Sequence, residues 1–229
     1  MVGAERPPAR ASSPSIVSAV PSYSARLDPL TLRVIAITDD LRDGVAGLVA
    51  RASAAVRGGA TMVQLRLKDA NARDMVTVGR ALVGGLTVPV LVNDRVDVAL
   101  ACGAAGAHLG ASDLPIADAR RIVPPHFILG ASIARAEDLE NARLADYVGI
   151  GPVYPTISKA DAGEALGEAA FAELARGAAR PAVAIGGVTA ERLPALRQVG
   201  AAGVAVISAI FGAPDPAAAA AALRSASEI

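Results

Sequence analysis

The sequence predicts a single-domain α/β fold, the (β/α)8 TIM barrel, on three observations. Short, nearly continuous apolar and β-branched runs recur eight times, as in parallel strands buried on both faces. Stretches of helical length, rich in Ala, Leu and Arg, separate them, as alternating βα units require. Polar residues gather just after the C-terminal ends of several runs, on the face where such barrels carry their chemistry.

Residues 1–29 stand apart, being rich in Pro, Ser and Ala with no sustained period. The patch Ile16 to Val20 is too short, and too broken by its neighbours, for a secretory signal. We expect a disordered N-terminal extension over 1–29 and a catalytic barrel over 30–229. Expected strands are Leu32–Ile37, Thr61–Leu65, Val90–Val92, Gly106–Leu109, Phe127–Gly130, Tyr147–Ile150, Ala182–Ile185 and Gly203–Val206. Expected helices include Asp43–Arg57, Arg73–Val83, Ala117–Ile122, Ala136–Ala142, Glu168–Arg176 and Ala190–Gln198. Asn71 and Asp74 mark the start of the second helix, and Thr189 the start of the one before the last strand. Small-residue segments before strands two, four and eight read as tight αβ turns.

The 22 basic and 22 acidic residues balance, so no global field draws in nucleic acid or an anionic membrane. Aromatics are 3% and Trp is absent, which disfavours base-stacking platforms. The single cysteine, Cys102, rules out an internal disulfide and fits a reducing compartment. No apolar run reaches the ~18–20 residues needed to span a bilayer. A cytoplasmic protein is expected.

The densest chemical signal is the loop Gly151-Pro-Val-Tyr-Pro-Thr-Ile-Ser-Lys-Ala-Asp161, directly after a strand. Small residues admit backbone N–H groups to an anion, Thr156 and Ser158 donate, and Lys159 adds a point charge. Gln64, Arg66 and Lys68 close the second strand, Asn93 and Asp94 the third, and Asp113 lies past the fourth. Arg66 and Lys68 could instead fill a barrel layer, and Asp94 and Asp113 could cap the helices near Val96 and after Pro115. Two acids at neighbouring strand ends, opposite at least three cations, favour a divalent cation shared with substrate phosphate, the arrangement Mg²⁺ prefers. Arg95 and Asp97 read as helix-start residues, and Asp161 and Glu164 as loop charges. The seventh and eighth strands run into helices through Gly186-Gly187 and Ser208, the usual phosphate position of such barrels. Two anion subsites result: one at Gly187 and Ser208, another at Arg66, Lys68 and Lys159 with the metal. Of the two histidines, His126 lies before a strand, away from that face, and His108 lies inside strand four, where a satisfied core histidine is commoner than an acid–base group.

The strings VQLRLKDA, VLVNDRVDVALACGAAGAHLGASDLP, DYVGIGPVYPTISKAD, AVAIGGVT and GVAVISAI resemble, in order and spacing, the thiamine phosphate synthase family. The likeness runs from about Leu32 to Phe211. It implies an Mg²⁺-dependent transferase of thiamine biosynthesis that joins a hydroxymethylpyrimidine diphosphate to a thiazole phosphate and releases pyrophosphate. It further implies that Gln64, Arg66, Lys68 and Asn93 hold the pyrimidine diphosphate and that Asp94 and Asp113 hold the metal. Ser132 and Lys159 would face the diphosphate, Thr156 and Ser158 would flank the join, and Gly187, Ile207 and Ser208 would hold the thiazole phosphate. Arg66, Lys68, Ser132 and Lys159 are then the catalytic set. Partners would be these small molecules, with no nucleic acid and no membrane, and with room for a homodimer.

Three positions depart from the family pattern. Ala111 stands where glutamine is usual, Ile35-Ala36-Ile37 lacks a tyrosine often found near the first strand's end, and Ser158 replaces a commoner threonine. Ser132-Ile133-Ala134 has no histidine two residues past the serine. The sister thiazole tautomerase resembles the synthase but uses a histidine in this segment. That enzyme and a non-catalytic ligand-binding paralogue are the alternatives; the full set of charged positions favours the synthase.

Overall fold

The computed structural model describes residues 27–156 and 163–228. Eight parallel strands close into a ring in sequence order: β1 (Val34–Ile37), β2 (Met62–Leu65), β3 (Val90–Asn93), β4 (Gly106–Leu109), β5 (Ile128–Ile133), β6 (Tyr147–Ile150), β7 (Ala182–Ile185) and β8 (Gly203–Val206). β1 pairs with β8 through Val34↔Val204 and Ile35↔Ala205, which shuts the barrel. The first four strands alternate with α1 (Gly44–Arg57), α2 (Ala72–Gly85), α3 (Val96–Cys102) and α4 (Ile116–Ile122). α5 (Gly167–Ala178) follows β6, α6 (Leu193–Gln198) follows β7, and α7 (Ser208–Phe211) and α8 (Pro216–Ala226) follow β8. The expected extension over 1–29 falls almost wholly outside the described residues.

Alternation along each strand divides the core in two. Val34 and Ala36, Val63 and Leu65, and Val90 and Val92 point outward and pack under the helices. Ile35, Ile37, Met62, Leu91, Tyr147, Val183 and Ala205 point inward and fill the barrel. Each fully buried aliphatic side chain contributes ~1.5–3 kcal/mol. The same period explains why polar residues can sit inside apolar runs: Gln64, Asn93, His108 and Ser132 occupy inward positions toward the C-terminal end.

Side-chain caps mark the starts of α2 and α8. Asn71 caps α2, accepting from Asp74 N at 3.0 Å, and Asp215 caps α8 through Ala217 N and Ala218 N. At the opposite end of the barrel, Arg120 on α4 is 9% exposed and donates to Phe127 O (2.8 Å), Leu144 O (3.1 Å) and Asp146 Oδ2 (2.8 Å). Leu129 N also donates to Asp146 Oδ2 at 2.8 Å, so α4, β5 and β6 share one buried polar knot. Removing either charge would strand the other, at a cost of about 3–5 kcal/mol.

Three expectations need correction. The helix expected at Ala136–Ala142 is instead two 3-10 segments, Ala136–Leu139 and Asn141–Leu144. Asp138 folds back to accept from Ala134 N and Arg135 N, tightening the first segment at its start. β5 runs on to Ile133, past the expected Gly130, and so carries Ser132 in the sheet rather than in a loop. Thr189 does not begin a helix at Ala190: α6 starts at Leu193 after Arg192, and Thr189 O accepts from Arg192 N in a preceding turn.

Candidate active site

A cavity of about 360 Å³ opens at the C-terminal ends of the strands. Its apolar floor includes Ile35, Ile37, Val183 and Ala205 from the inner core, and its walls carry the polar residues. Such a pocket suits a small ligand with few oriented polar groups. Gln64, Arg66, Lys68, Asn93, Asp94, Asp113, Ser132, Thr156, Gly187, Ile207 and Ser208 all line it. Ser158, Lys159 and Asp161 lie outside the described residues. Arg95 and Asp97 do not line the cavity; they bind each other at 2.6 and 2.8 Å at the start of α3, and this bond holds the Asp97 carboxyl below its usual range. Glu164 is an exposed loop charge.

Arg66 is held in a state suited to receive an anion. Its backbone is locked to β1: Arg66 N donates to Thr38 Oγ1 at 2.8 Å and Thr38 Oγ1 donates to Arg66 O at 3.1 Å, with Thr38 fully buried. The arginine is only 8% exposed, and its Nη2 is buried without a hydrogen-bond partner among the described residues. An unpaired buried guanidinium N–H costs free energy that a bound anion recovers. Beside it Gln64 Nε2 donates to Asn93 Oδ1 at 2.6 Å, orienting both amides across β2 and β3. Sequence reading missed Thr38; a hydroxyl directly after an apolar strand was its only signal.

Neither cavity carboxylate caps a helix. α3 is preceded by Arg95 and α4 by Pro115, neither with a side-chain cap, and Ile116 N takes Asn141 Oδ1 instead. Asp94 adopts φ 64°, a left-handed conformation that Asp tolerates better than most residues, and its N–H donates to His108 O at 2.8 Å. That turn brings Asp94 to the cavity wall. Asp113 Oδ2 accepts from Gly110 N at 2.6 Å, fixing the carboxylate over the end of β4. Among the described residues no cluster of three or more His, Cys, Asp or Glu side chains could cage a metal alone. Two acids at neighbouring strand ends, which could share a cation with phosphate oxygens and water, fit Mg²⁺, which rarely uses an all-protein cage.

The opposite wall uses backbone. Gly186 and Gly187 have φ 91° and 63°, and both are hemmed in: a Cβ at Gly186 would lie 2.5 Å from Pro152 Cβ, and one at Gly187 2.6 Å from Pro155 O. The β6 loop is laid on this turn by Val153 N→Ile185 O (2.8 Å) and Tyr154 N→Gly186 O (3.1 Å). Arg192 Nη1 donates to Gly187 O at 2.6 Å while its guanidinium sits 4.4 Å from the Tyr154 ring centroid. Tyr154 OH donates to Glu168 Oε1 at 2.6 Å; burial, and then this bond and the Glu168 charge, push the phenol up to about 12. The two loops therefore share one anchor.

Between the two walls, His108 turns into the barrel. Its Nδ1 lies 2.9 Å from Tyr147 OH and its Nε2 3.0 Å from Ser132 Oγ. Gly130 and Gly149 make the space, since a Cβ on either would meet the imidazole, at 2.4 and 3.0 Å. The sequence reading of a satisfied core histidine is right about satisfaction, but the ring also lines the cavity.

Comparisons with known proteins agree with this fold. The family described as thiamine monophosphate synthase matches residues 34–210. The chain is similar to the thiamine-phosphate synthase of Roseiflexus sp. (strain RS-1), 46% identical over 89% of this chain and 91% of that protein. It is 44% identical to the thiamine-phosphate synthase of Desulfitobacterium hafniense (strain Y51), over 80% of this chain and 91% of that one. Among solved structures, thiamine phosphate pyrophosphorylase from Pyrococcus furiosus superposes with a TM-score of 0.78 at 36% identity, covering 87% of this chain and 97% of that chain.

Proposed function

Because this chain belongs to the thiamine monophosphate synthase family, we propose that it couples a hydroxymethylpyrimidine diphosphate with a thiazole phosphate, yielding thiamine phosphate and pyrophosphate. The observation that supports this reading is the buried Nη2 of Arg66 in the cavity wall, which has no hydrogen-bond partner among the described residues and suits an anion. Arg66 and Lys68 hold the diphosphate, Gln64 and Asn93 orient the pyrimidine end, and Gly187, Ile207 and Ser208 take the thiazole phosphate. Thr156 lies where the two substrates meet; Ser158 and Lys159 belong to the same role by family position. Asp94 and Asp113 would hold Mg²⁺, which when bound neutralises charge on the diphosphate.

The bond that breaks joins the pyrimidine methylene carbon to a diphosphate oxygen, and its electron pair leaves with the oxygen. Arg66, Lys68 and Ser132 are placed to favour that developing charge before it appears, which lowers the barrier without reorganisation. The thiazole nitrogen then forms the new bond with its own lone pair, so no proton need be removed there. The apolar floor at Ile35, Ile37 and Val183 keeps water from the electron-poor methylene. The absence of an acid–base pair from this scheme agrees with a site whose only histidine is bound within the barrel wall.

Incubating purified protein with both substrates, with and without Mg²⁺, and weighing the products tests the reading. Thiamine phosphate and pyrophosphate in the Mg²⁺ sample alone are expected. Isomerised thiazole phosphate without pyrophosphate would sink the synthase assignment.

A further inference from the structure

We infer that Tyr147 and His108 form a directional hydrogen-bond chain that fixes Ser132 as a hydroxyl donor toward substrate and forbids its use as a nucleophile. The inference rests on the assignment of Ser132 to the diphosphate, and it concerns two positioning residues, Tyr147 and His108, that act only through that serine.

The chain is built in register. His108 on β4 aligns with Gly130 on β5, which aligns with Tyr147 on β6, so both rings enter one layer of the barrel from alternate strands with a glycine between them. Ser132, two residues beyond Gly130, stands one layer nearer the cavity, opposite Gly149. The ring centroids of His108 and Tyr147 are 5.5 Å apart with planes tilted by 38°, and the imidazole lies over Gly130 and Gly149, where any Cβ would meet it.

Direction follows from Tyr147. The residue is 1% exposed, and among the described residues its hydroxyl meets His108 Nδ1. A buried O–H that donates to nothing costs more than an unused lone pair, so the phenol donates and Nδ1 accepts. Burial, aided by the neighbouring Asp146 charge, raises the Tyr147 phenol well above its usual value, so this donor is kept. A neutral imidazole accepting at Nδ1 carries its one proton on Nε2, which must donate to Ser132 Oγ at 3.0 Å. The serine proton then cannot point back at the histidine and turns to the cavity, where it can meet a diphosphate oxygen.

The contrast with a serine–histidine nucleophile pair is instructive. There a carboxylate accepts from Nδ1–H and leaves Nε2 free to take the serine proton. Here a phenol donates to Nδ1, and the polarity of the pair is reversed. No covalent serine adduct forms.

Two measurements test this on the full chain. Long-range ¹H–¹⁵N correlation spectra report the tautomer of each histidine directly, with His126, which is exposed, assigned by His126→Gln. The wild type should show His108 as the Nε2–H form, and Tyr147→Phe should show a mixture. An Nδ1–H or doubly protonated ring at neutral pH overturns the inference, whether or not the protein makes thiamine phosphate. In the second, Ser132→Ala should lower kcat roughly 10- to 100-fold, as expected for a lost hydrogen bond to a charged group. Tyr147→Phe should lower kcat about threefold to tenfold alone and have no further effect in the Ser132→Ala background. Additive losses in the double variant would mean that Tyr147 only supports the fold. Failure of the wild type to form thiamine phosphate would overturn the functional reading, while the tautomer would still decide the direction of the chain.

Discussion

Under the proposed function, the two walls of the cavity would meet phosphate by different means. On the β2–β4 side the ligands are side chains, with Arg66 and Lys68 carrying charge and Asp94 and Asp113 set beside them. On the β7–β8 side they are main chain, with Gly186 and Gly187 held at positive φ and Ser208 opening a short helix. A wall of charged side chains can follow a charge that grows during reaction. A wall built from main chain would suit a phosphate that is bound and left unchanged. On the proposed reading, the difference separates the substrate that reacts at its phosphorylated end from the one that does not.

If that division holds, the largest effect should come from the charged wall. Asp94→Asn keeps the left-handed turn, since Asn tolerates it, but removes the charge that would hold a cation; kcat should fall roughly 1000-fold with the melting temperature little changed. Near-wild-type turnover in saturating Mg²⁺ would remove the metal from this wall. Next, Arg66→Met preserves the buried stem and deletes the guanidinium, and should cut kcat/KM for the pyrimidine diphosphate by about 100-fold. Equal loss for both substrates, measured by varying each in turn, would break the division.

Ser208→Asp sets a negative charge in the backbone wall. It should raise KM for the thiazole phosphate by about 10- to 100-fold and leave diphosphate binding almost unchanged, as calorimetry on each ligand would reveal. The smallest effect is expected at the anchor joining the β6 and β7 loops. The Tyr154 phenol is raised to about 12 in the folded chain, above its ordinary value near 10. Its contribution to stability is therefore full below about pH 10 and is lost as pH climbs toward about 12. Between those values the melting temperature of wild type should fall more steeply than that of Tyr154→Phe. Parallel curves would show that the hydroxyl anchors nothing.

The barrel was legible because its strands are short apolar runs in which one period serves two buried faces, and each expected strand overlaps an observed one. The cavity-lining residues were legible because strand ends are where such a fold collects polarity. What was not legible depends on contacts between strands far apart in sequence. Thr38 gains its role only from Arg66, 28 residues on, and Tyr147 only from His108, 39 residues before it. The segment after β5 misled because its Ala, Leu and Arg content favours a helix while Asp138 binds the chain at its start. Asp94 was readable as an acid at a strand end, but its positive φ, which turns it from a helix cap into a cavity residue, leaves no trace in composition.

The pairing of β1 with β8 also constrains how the chain can be made. A nascent chain emerging from a ribosome carries β1 long before Gly203 begins β8. Until that last strand arrives, the growing sheet has two open edges and an uncovered inner face lined by Ile35, Ile37, Met62 and Leu91. Truncations between Ile185 and Gly203 should thus yield species prone to chaperone capture and aggregation, because their ring cannot close.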